Sequence, residues 1–400
     1  MDALEGLTVL DLTSHIAGPY ATKLLADLGA RVIKVERPGG DPARQLGPWL
    51  GDEPGVERSG TYQFLNTNKE SIVVDLQAGG ARDALAGLVR LSDLVVTGFP
   101  PAVSDRLGLT YDWFKAQKDV PAVELTNFGR TGPYRDYRLS ETVLYAMGGE
   151  MYAHGTADRE PLKLGMTGPL LQCGAMGAVA AMGALTAYEV HGIGQHVELS
   201  LFDVQINSVD RRSSAILAYR FSGRVNTRPA AAGAGLAGGI YPCADGYVEV
   251  TASAGNYWRR FTEMIGDPEL IDPKWNDPRF QAIPANKEVA DGIIYPWMLT
   301  RTRAEVWEAA RKAHALVAPL YTGLDVFQDP VFRERGLWTE VEHAVLGRFP
   351  MLGRPYVFDK TPWRIRSAAP CLGEHTRAVL RESGASAAQV DTWMDEGVVA

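Results

Sequence analysis

The side chains that could carry chemistry are thinly spread in this sequence. Its seven histidines, His15, His154, His191, His196, His314, His343 and His375, include no HxH or HxxxH pair. A metal site draws several such ligands onto one face of an element, so no metal is expected. The three cysteines, Cys173, Cys243 and Cys371, lie far apart without CxxC spacing, which argues against a zinc site or a disulfide scaffold and for a reducing compartment. Cys173 sits among small residues with no basic neighbour and reads as an inert packed thiol. There is no GxSxG elbow, and the first predicted βα loop lacks GxGxxG, so a nicotinamide dinucleotide fingerprint is absent. What stands there is TSHIAGP (13–19), a turn that could present backbone amides at a helix N-terminus to an anion. His15 lies in it, with a structural and a functional role equally open. Glu36 ends the second predicted strand, where a dinucleotide enzyme would hold a ribose. Arg37 and the loop PGGDPAR (38–44) follow at once and suit a phosphate-bearing ligand better.

Positioning those residues falls to an alternation of strand and helix patterns. β-rich runs occupy 7–13, 31–36, 71–76, 93–99 and 120–128, with helical patterns at 20–30 and 81–92 between them. Such alternation predicts an α/β fold with a parallel sheet and helices on both faces, its ligands bound beyond the C-terminal strand ends. From about 225 the texture changes. NTRPAAAGAGLAGGIYP (226–242) reads as a loop or linker, and YPCADGYVEVTAS (241–253) as a hairpin turning at Asp245-Gly246. Helical segments near 256–265, 284–300 and 303–315 then suggest a smaller α+β domain, and Ser386 is a candidate N-cap in the C-terminal tail.

The stretch PLKLGMTGPLLQCGAMGAVAAM (161–182) needs separate treatment. No charge stands between Lys163 and Glu189, which is long enough to cross a bilayer. Its residues are mostly Ala, Gly and Met, with Thr167, Gln172 and Thr186 interspersed, so transfer into lipid would gain little. The expectation is an interior helix wrapped by protein. With 46% hydrophobic and 22% charged residues and a net charge of −8, neither nucleic acid nor an anionic membrane is an expected partner. MDALEGLTVLDL lacks the basic and apolar regions of a signal peptide, so a cytoplasmic location is expected.

The chain resembles the class III (CaiB/BaiF-type) CoA-transferases. LEGLTVLDLTSHIAGPYATKLLADLGARVIKVERPGGDPAR matches their opening block, and NTNKESIVVDL, RLGLTYDWF, GIGQHVELSLFD, YPCADGYVEV and LGEHTRAVLRESG match later blocks in the same order. The resemblance implies a Rossmann-like large domain built from both chain ends (1–224 and 336–400), a small domain (225–335), and an interlocked dimer. CoA and acyl-CoA are then substrates, with no tightly bound cofactor. By position, Ser14, His15, Ile16 and Ala17 match the segment bordering the thioester and pantetheine. Arg37, Arg106 and Arg138 match basic CoA contacts, and Phe99 matches an aromatic one, though Gly98 and Pro100 replace its usual neighbours.

The largest departure is at Leu170, which occupies the position of the family's nucleophilic aspartate, four residues before Gly174. The racemase members' His-Asp pair is replaced by Ser140-Glu141, which speaks against racemisation. The expectation is therefore the non-nucleophilic subunit of a heteromeric CoA-transferase, resembling benzylsuccinate CoA-transferase. A homologous partner subunit would supply the aspartate, and small organic acids would be the other substrates. Two alternatives stay open: an autonomous homodimer using Glu141, and a non-catalytic acyl-CoA-binding scaffold.

Overall fold

The structure is a computed structural model that describes residues 1–207, 211–225, 227–228, 236–252 and 255–400. Much of the expected 226–242 linker, including 233–235 of the Gly-rich 233–239 loop, lies outside the described residues.

Six strands, β1 (Thr8–Leu12), β2 (Arg31–Glu36), β3 (Lys69–Val73), β4 (Leu94–Thr97), β5 (Ala122–Thr126) and β6 (His196–Ser200), form a sheet in the order β3-β2-β1-β4-β5-β6. All neighbours are parallel. Successive residues of a strand point to opposite faces, and here both faces are buried: Val9 and Val32 lie in one apolar cluster, Leu10 and Ile33 in another. The first face carries α1 (Ala17–Asp27). The second carries the helix Ala81–Leu91 and the chain's return, whose helices Thr376–Glu382 and Ala387–Asp395 contribute Leu380, Val390 and Trp393. Ser386 caps the last helix by accepting the Gln389 amide at 3.2 Å. The strand order reverses between β1 and β4, which opens a crevice at their C-terminal ends.

The long apolar helix, α2 (Gly168–His191), packs along α1. Glycine permits this approach: a Cβ on Gly174 would lie 2.4 Å from the Ala17 carbonyl oxygen, and one on Gly177 3.1 Å from the Ala21 Cβ. The helix has the length and hydropathy of a membrane span, and 44% of its most apolar window is buried. Protein does not wrap it all round, contrary to expectation. Leu170, Cys173, Gly177, Ala181 and Leu185 are buried, whereas Met176, Val179 and Val190 are exposed. The reason is periodicity: at 3.6 residues per turn only one stripe can face α1 and the sheet.

Contacts divide the chain into two units, one of residues 1–154, 162–226 and 333–400 and the other of 155–161 and 227–332. The second is α+β, with an antiparallel sheet of β7 (Gly238–Cys243), β8 (Gly246–Thr251) and β9 (Val317–Pro319). Helices Gly255–Ile265, Pro284–Leu299 and Arg303–Ala313 cover a core around Trp258, Phe261 and Ile294. The hairpin turns one residue earlier than expected: Cys243 pairs with Gly246, so Ala244-Asp245 form the loop and Gly246 already belongs to the strand. In the first unit, a hairpin of β10 (Trp338–His343) and β11 (Gly347–Leu352) had no counterpart in the sequence reading.

Candidate active site

The crevice at the switch point, about 130 Å³, is lined by Leu12, which ends β1, with Thr13 and Ser14 beyond it, by Glu36, which ends β2, with Arg37 beyond it, and by Phe99 after β4. Two of its lining residues, Glu36 and Asp41, belong to a set of paired buried charges. Asp11 and Lys34 are register partners across β1 and β2. Lys69 donates to Asp11 at 3.1 Å, and Lys34 pairs with Asp41 at 2.7 Å while donating to the Thr13 carbonyl at 3.1 Å. Burial alone would raise the Asp11 pKa, but the Lys69 and Lys34 ammoniums overcome it and hold the carboxyl well below its usual range. Burial takes Lys69 the other way, down to about 8, with Asp11 opposing it. Such groups are tolerated in an apolar interior because each is paired.

That set also fixes the loop after β1. The Asp41 carboxylate accepts the His15 amide at 2.9 Å and the Ala43 amide at 2.8 Å. His15 is held at φ +73°, a left-handed conformation that a non-glycine residue adopts only when its surroundings fix it. Gly18 completes the turn, since a Cβ there would fall 2.3 Å from the Thr13 side chain. No side chain caps the α1 N-terminus that follows, which leaves its first amides to solvent or an anion.

Glu36 does not wait for a ribose. Arg44 grips it through two nitrogens at 2.8 Å each, and the Tyr62 hydroxyl and Ser71 hydroxyl also donate to it. Burial opposes ionisation, yet the Arg44 guanidinium brings the Glu36 pKa to about 2. The neighbouring Arg37 is exposed and donates to the Gly40 carbonyl, at 3.1 Å. Among the described residues no carboxylate pairs with Arg37, Arg106 or Arg138. Arg130 and Arg135, by contrast, are both tied to Asp105.

The structure thus brings Ser14, Arg37 and Phe99 to one crevice. Arg106, in the helix Pro101–Leu107 after β4, and Arg138, in the loop after β5, are exposed on the same side of the sheet but do not line it. The exposed His15 side chain lines neither this crevice nor the second recess described next. Ala17 is buried as the first residue of α1, and Ile16 turns into that second recess. Leu170 is 5% exposed, in the first turn of α2 and within the apolar core. Glu141 begins the helix Glu141–Met147, pairs with Lys163 at 3.2 Å and leaves its second oxygen buried without a hydrogen-bond partner among the described residues. Lys163 also donates to the carbonyls of Leu164 and Met166, so this ion pair tethers the segment leading into α2.

The second recess is an apolar hollow of about 660 Å³. Its walls come from Ile16, the 48–65 segment, the start of α2 at Thr167 and Leu171, and the β10–β11 hairpin through Phe349 and Met351. Sequence reading missed it. The hairpin's alternating WTEVEH and GRFPML runs carried the available signal.

Folding also gathers Glu57, His343 and Cys371, with ligand-type atoms within 4.8 Å of one another. The donors do not suit a metal. His343 Nδ1 accepts the Val345 and Leu346 amides, which leaves the neutral ring's proton on Nε2, the atom 3.7 Å from the Cys371 sulfur. Burial raises the Cys371 pKa, keeping the thiol protonated, and Glu57 is engaged by Arg44 and the Leu372 amide. Cys173 is fully buried, its thiol against the Leu201 carbonyl at 3.6 Å.

Residues 4–376 match the model of CoA-transferase family III. A Thauera aromatica protein described as succinyl-CoA:(R)-benzylsuccinate CoA-transferase subunit BbsE is 30% identical, over 98% of this chain and 97% of its own length. A formyl-CoA:oxalate CoA-transferase of Streptomyces coelicolor is 33% identical over 94% of both chains. The crystal structure of a CAIB/BAIF family protein from Brucella suis superposes with a TM-score of 0.83 at 28% identity, covering 96% of this chain and 99% of that one.

Proposed function

Since the chain belongs to CoA-transferase family III, we propose that it is the non-nucleophilic subunit of a heteromeric CoA-transferase. A homologous partner would supply the aspartate that Leu170 replaces. What supports this reading is Leu170, buried in the apolar core, at the position that the resemblance assigns to the family's carboxylate. A leucine offers no oxygen to acylate. In the full reaction a carboxylate oxygen attacks the acyl-CoA carbonyl and expels CoA thiolate, leaving a mixed anhydride. The thiolate then attacks the enzyme's own carbonyl, which forms an enzyme–CoA thioester and releases the donor acid. The acceptor's carboxylate repeats the sequence in reverse order and departs as the new thioester. This chain's part is binding. Arg37, which pairs with no carboxylate among the described residues, and the Ser14–Phe99 crevice fit the nucleotide end of CoA, and the exposed Arg106 and Arg138 offer further positive charge to it. By analogy with the Thauera relative, the donor is succinyl-CoA and the acceptor a substituted succinate.

A second reading rests on the unpartnered Glu141 oxygen: an autonomous homodimer with Glu141 as nucleophile. Exchange of labelled succinate into succinyl-CoA separates the two. Exchange only after the aspartate-bearing homologue is added supports the heteromer. Exchange by this chain alone, abolished in Glu141→Gln, supports the alternative.

A further inference from the structure

One imidazole pins the turn of the β10–β11 hairpin. His343 ends β10 and is 5% exposed. Its Nδ1 accepts the Val345 amide at 3.1 Å and the Leu346 amide at 3.2 Å, which closes the three-residue loop between His343 and its register partner Gly347. An imidazole accepts only through a nitrogen that carries no proton, so the neutral ring holds this loop. The other side of the ring is braced. Nε2 lies 3.7 Å from the Cys371 sulfur, and the chain on either side of Cys371 is tied to the buried charges. Arg44 donates to the Pro370 carbonyl at 3.1 Å, and the Leu372 amide donates to Glu57 at 2.9 Å. The loop, in contrast, faces solvent, with Ala344 and Gly347 exposed and Val345 57% exposed. Leu346, the last residue of the loop, lines the apolar hollow.

We propose that His343 is a proton-operated latch: the neutral ring holds the hairpin turn closed, and the protonated ring releases it and withdraws Leu346 from the wall of the hollow. Protonation adds an N–H at Nδ1, where it would face two amide N–H groups and no acceptor. Ring or loop must then move, and the braced Cys371 side leaves the exposed loop to yield. The charges around the ring come from every element packed against it. Burial, the largest influence, lowers the His343 pKa; Glu57 and Glu374 oppose that shift, and Arg44 adds to it. The Cys371 thiol is kept protonated and uncharged. Glu342, Lys69 and His375 line the same recess of about 140 Å³ as His343, with the Lys69 ammonium turned to Asp11 and His375 Nδ1 accepting the Ser71 amide. The latch is closed at neutral pH and opens in acid, whether or not the chain is the subunit proposed above.

The test is hydrogen exchange of the full-length chain, read by mass spectrometry at about pH 7.5 and about pH 5, with labelling times scaled to the intrinsic exchange rate at each pH. A released ring takes up its proton before a latched one as pH falls. Protection of the Val345 and Leu346 amides should therefore drop by up to about tenfold for each pH unit below about 6.5, until the latched ring is protonated too. The β1 amides should keep their protection, which separates release of the turn from unfolding. His343→Asn keeps an acceptor oxygen at the place of Nδ1 and cannot take up a proton, so its turn should stay protected at both pH values. A second measurement does not depend on how that variant packs. The His343 ring, followed by NMR in the full-length chain and assigned by its absence from the variant, should titrate below about 6.5. Protection unchanged between the two pH values, an equal acid loss in His343→Asn, or a ring that titrates at or above about 6.5 would each overturn the latch.

Discussion

The two recesses are built on opposite principles. The crevice at the β1–β4 switch draws on a set of buried ions: Asp11, Lys34, Lys69, Asp41, Glu36 and Arg44 are each nearly or fully inaccessible and each paired. The hollow beside α2 is lined by one cation, Arg58, a few neutral polar side chains such as Thr61, Gln63 and Thr167, and mostly apolar residues. Buried ion pairs add little net stability, because desolvation consumes most of their attraction, but they fix geometry sharply. Here what they fix is a strained loop at His15 above a small crevice. An apolar hollow fixes little, yet it rewards any ligand that brings apolar surface out of water. Rigidity therefore sits at the switch-point crevice, and adaptable apolar surface at the hollow.

Breaking the set of buried charges should have the largest effect. Arg44→Met leaves Glu36 buried without its bidentate partner, and unfolding in urea should show a loss of about 3–5 kcal/mol. Acid should probe the same pair more gently. Glu36 sits at about 2 in the fold against an ordinary 4.5, so as pH falls the unfolded chain takes up the proton first. The stability it contributes, about 3 kcal/mol, is complete above pH 4.5 and lost as pH falls toward 2. Urea midpoints measured across that window should fall less steeply in Glu36→Gln than in the unaltered chain. Between the two recesses, Gly174→Ala forces α2 away from the Ala17 carbonyl and should cost about 1–3 kcal/mol in the same assay. The smallest effect is expected at the rim: Arg37→Ala should weaken CoA binding about tenfold by equilibrium dialysis and leave the urea midpoint unchanged. A shifted midpoint would show that Arg37 belongs to the buried set.

The same contrast explains what the sequence could show. The crevice is assembled from the ends of successive strands, so TSHIAGP, Glu36-Arg37 and Phe99 could be placed from local pattern alone. Nothing local revealed that Glu36 was already spent on Arg44, eight residues on, or that Asp41 held the His15 amide. The hollow joins Ile16, segment 48–65, Leu171 and the 338–352 hairpin, and only the completed fold brings these together. The α2 stretch was legible as a helix but not in its exposure, because small residues on every side hide which stripe is buried. Leu170, by contrast, stood out by position, and the fold shows it in a site built for packing.

The central claim, that this chain carries no nucleophile, is tested most directly by intact-mass spectrometry. Succinyl-CoA is added to this chain mixed with its aspartate-bearing homologue, and the reaction is quenched in acid within the first turnover. The account predicts that the homologue alone gains the mass of one CoA less water while this chain keeps its own mass. A CoA adduct on this chain, mapped to Glu141 or any other carboxylate, would contradict it.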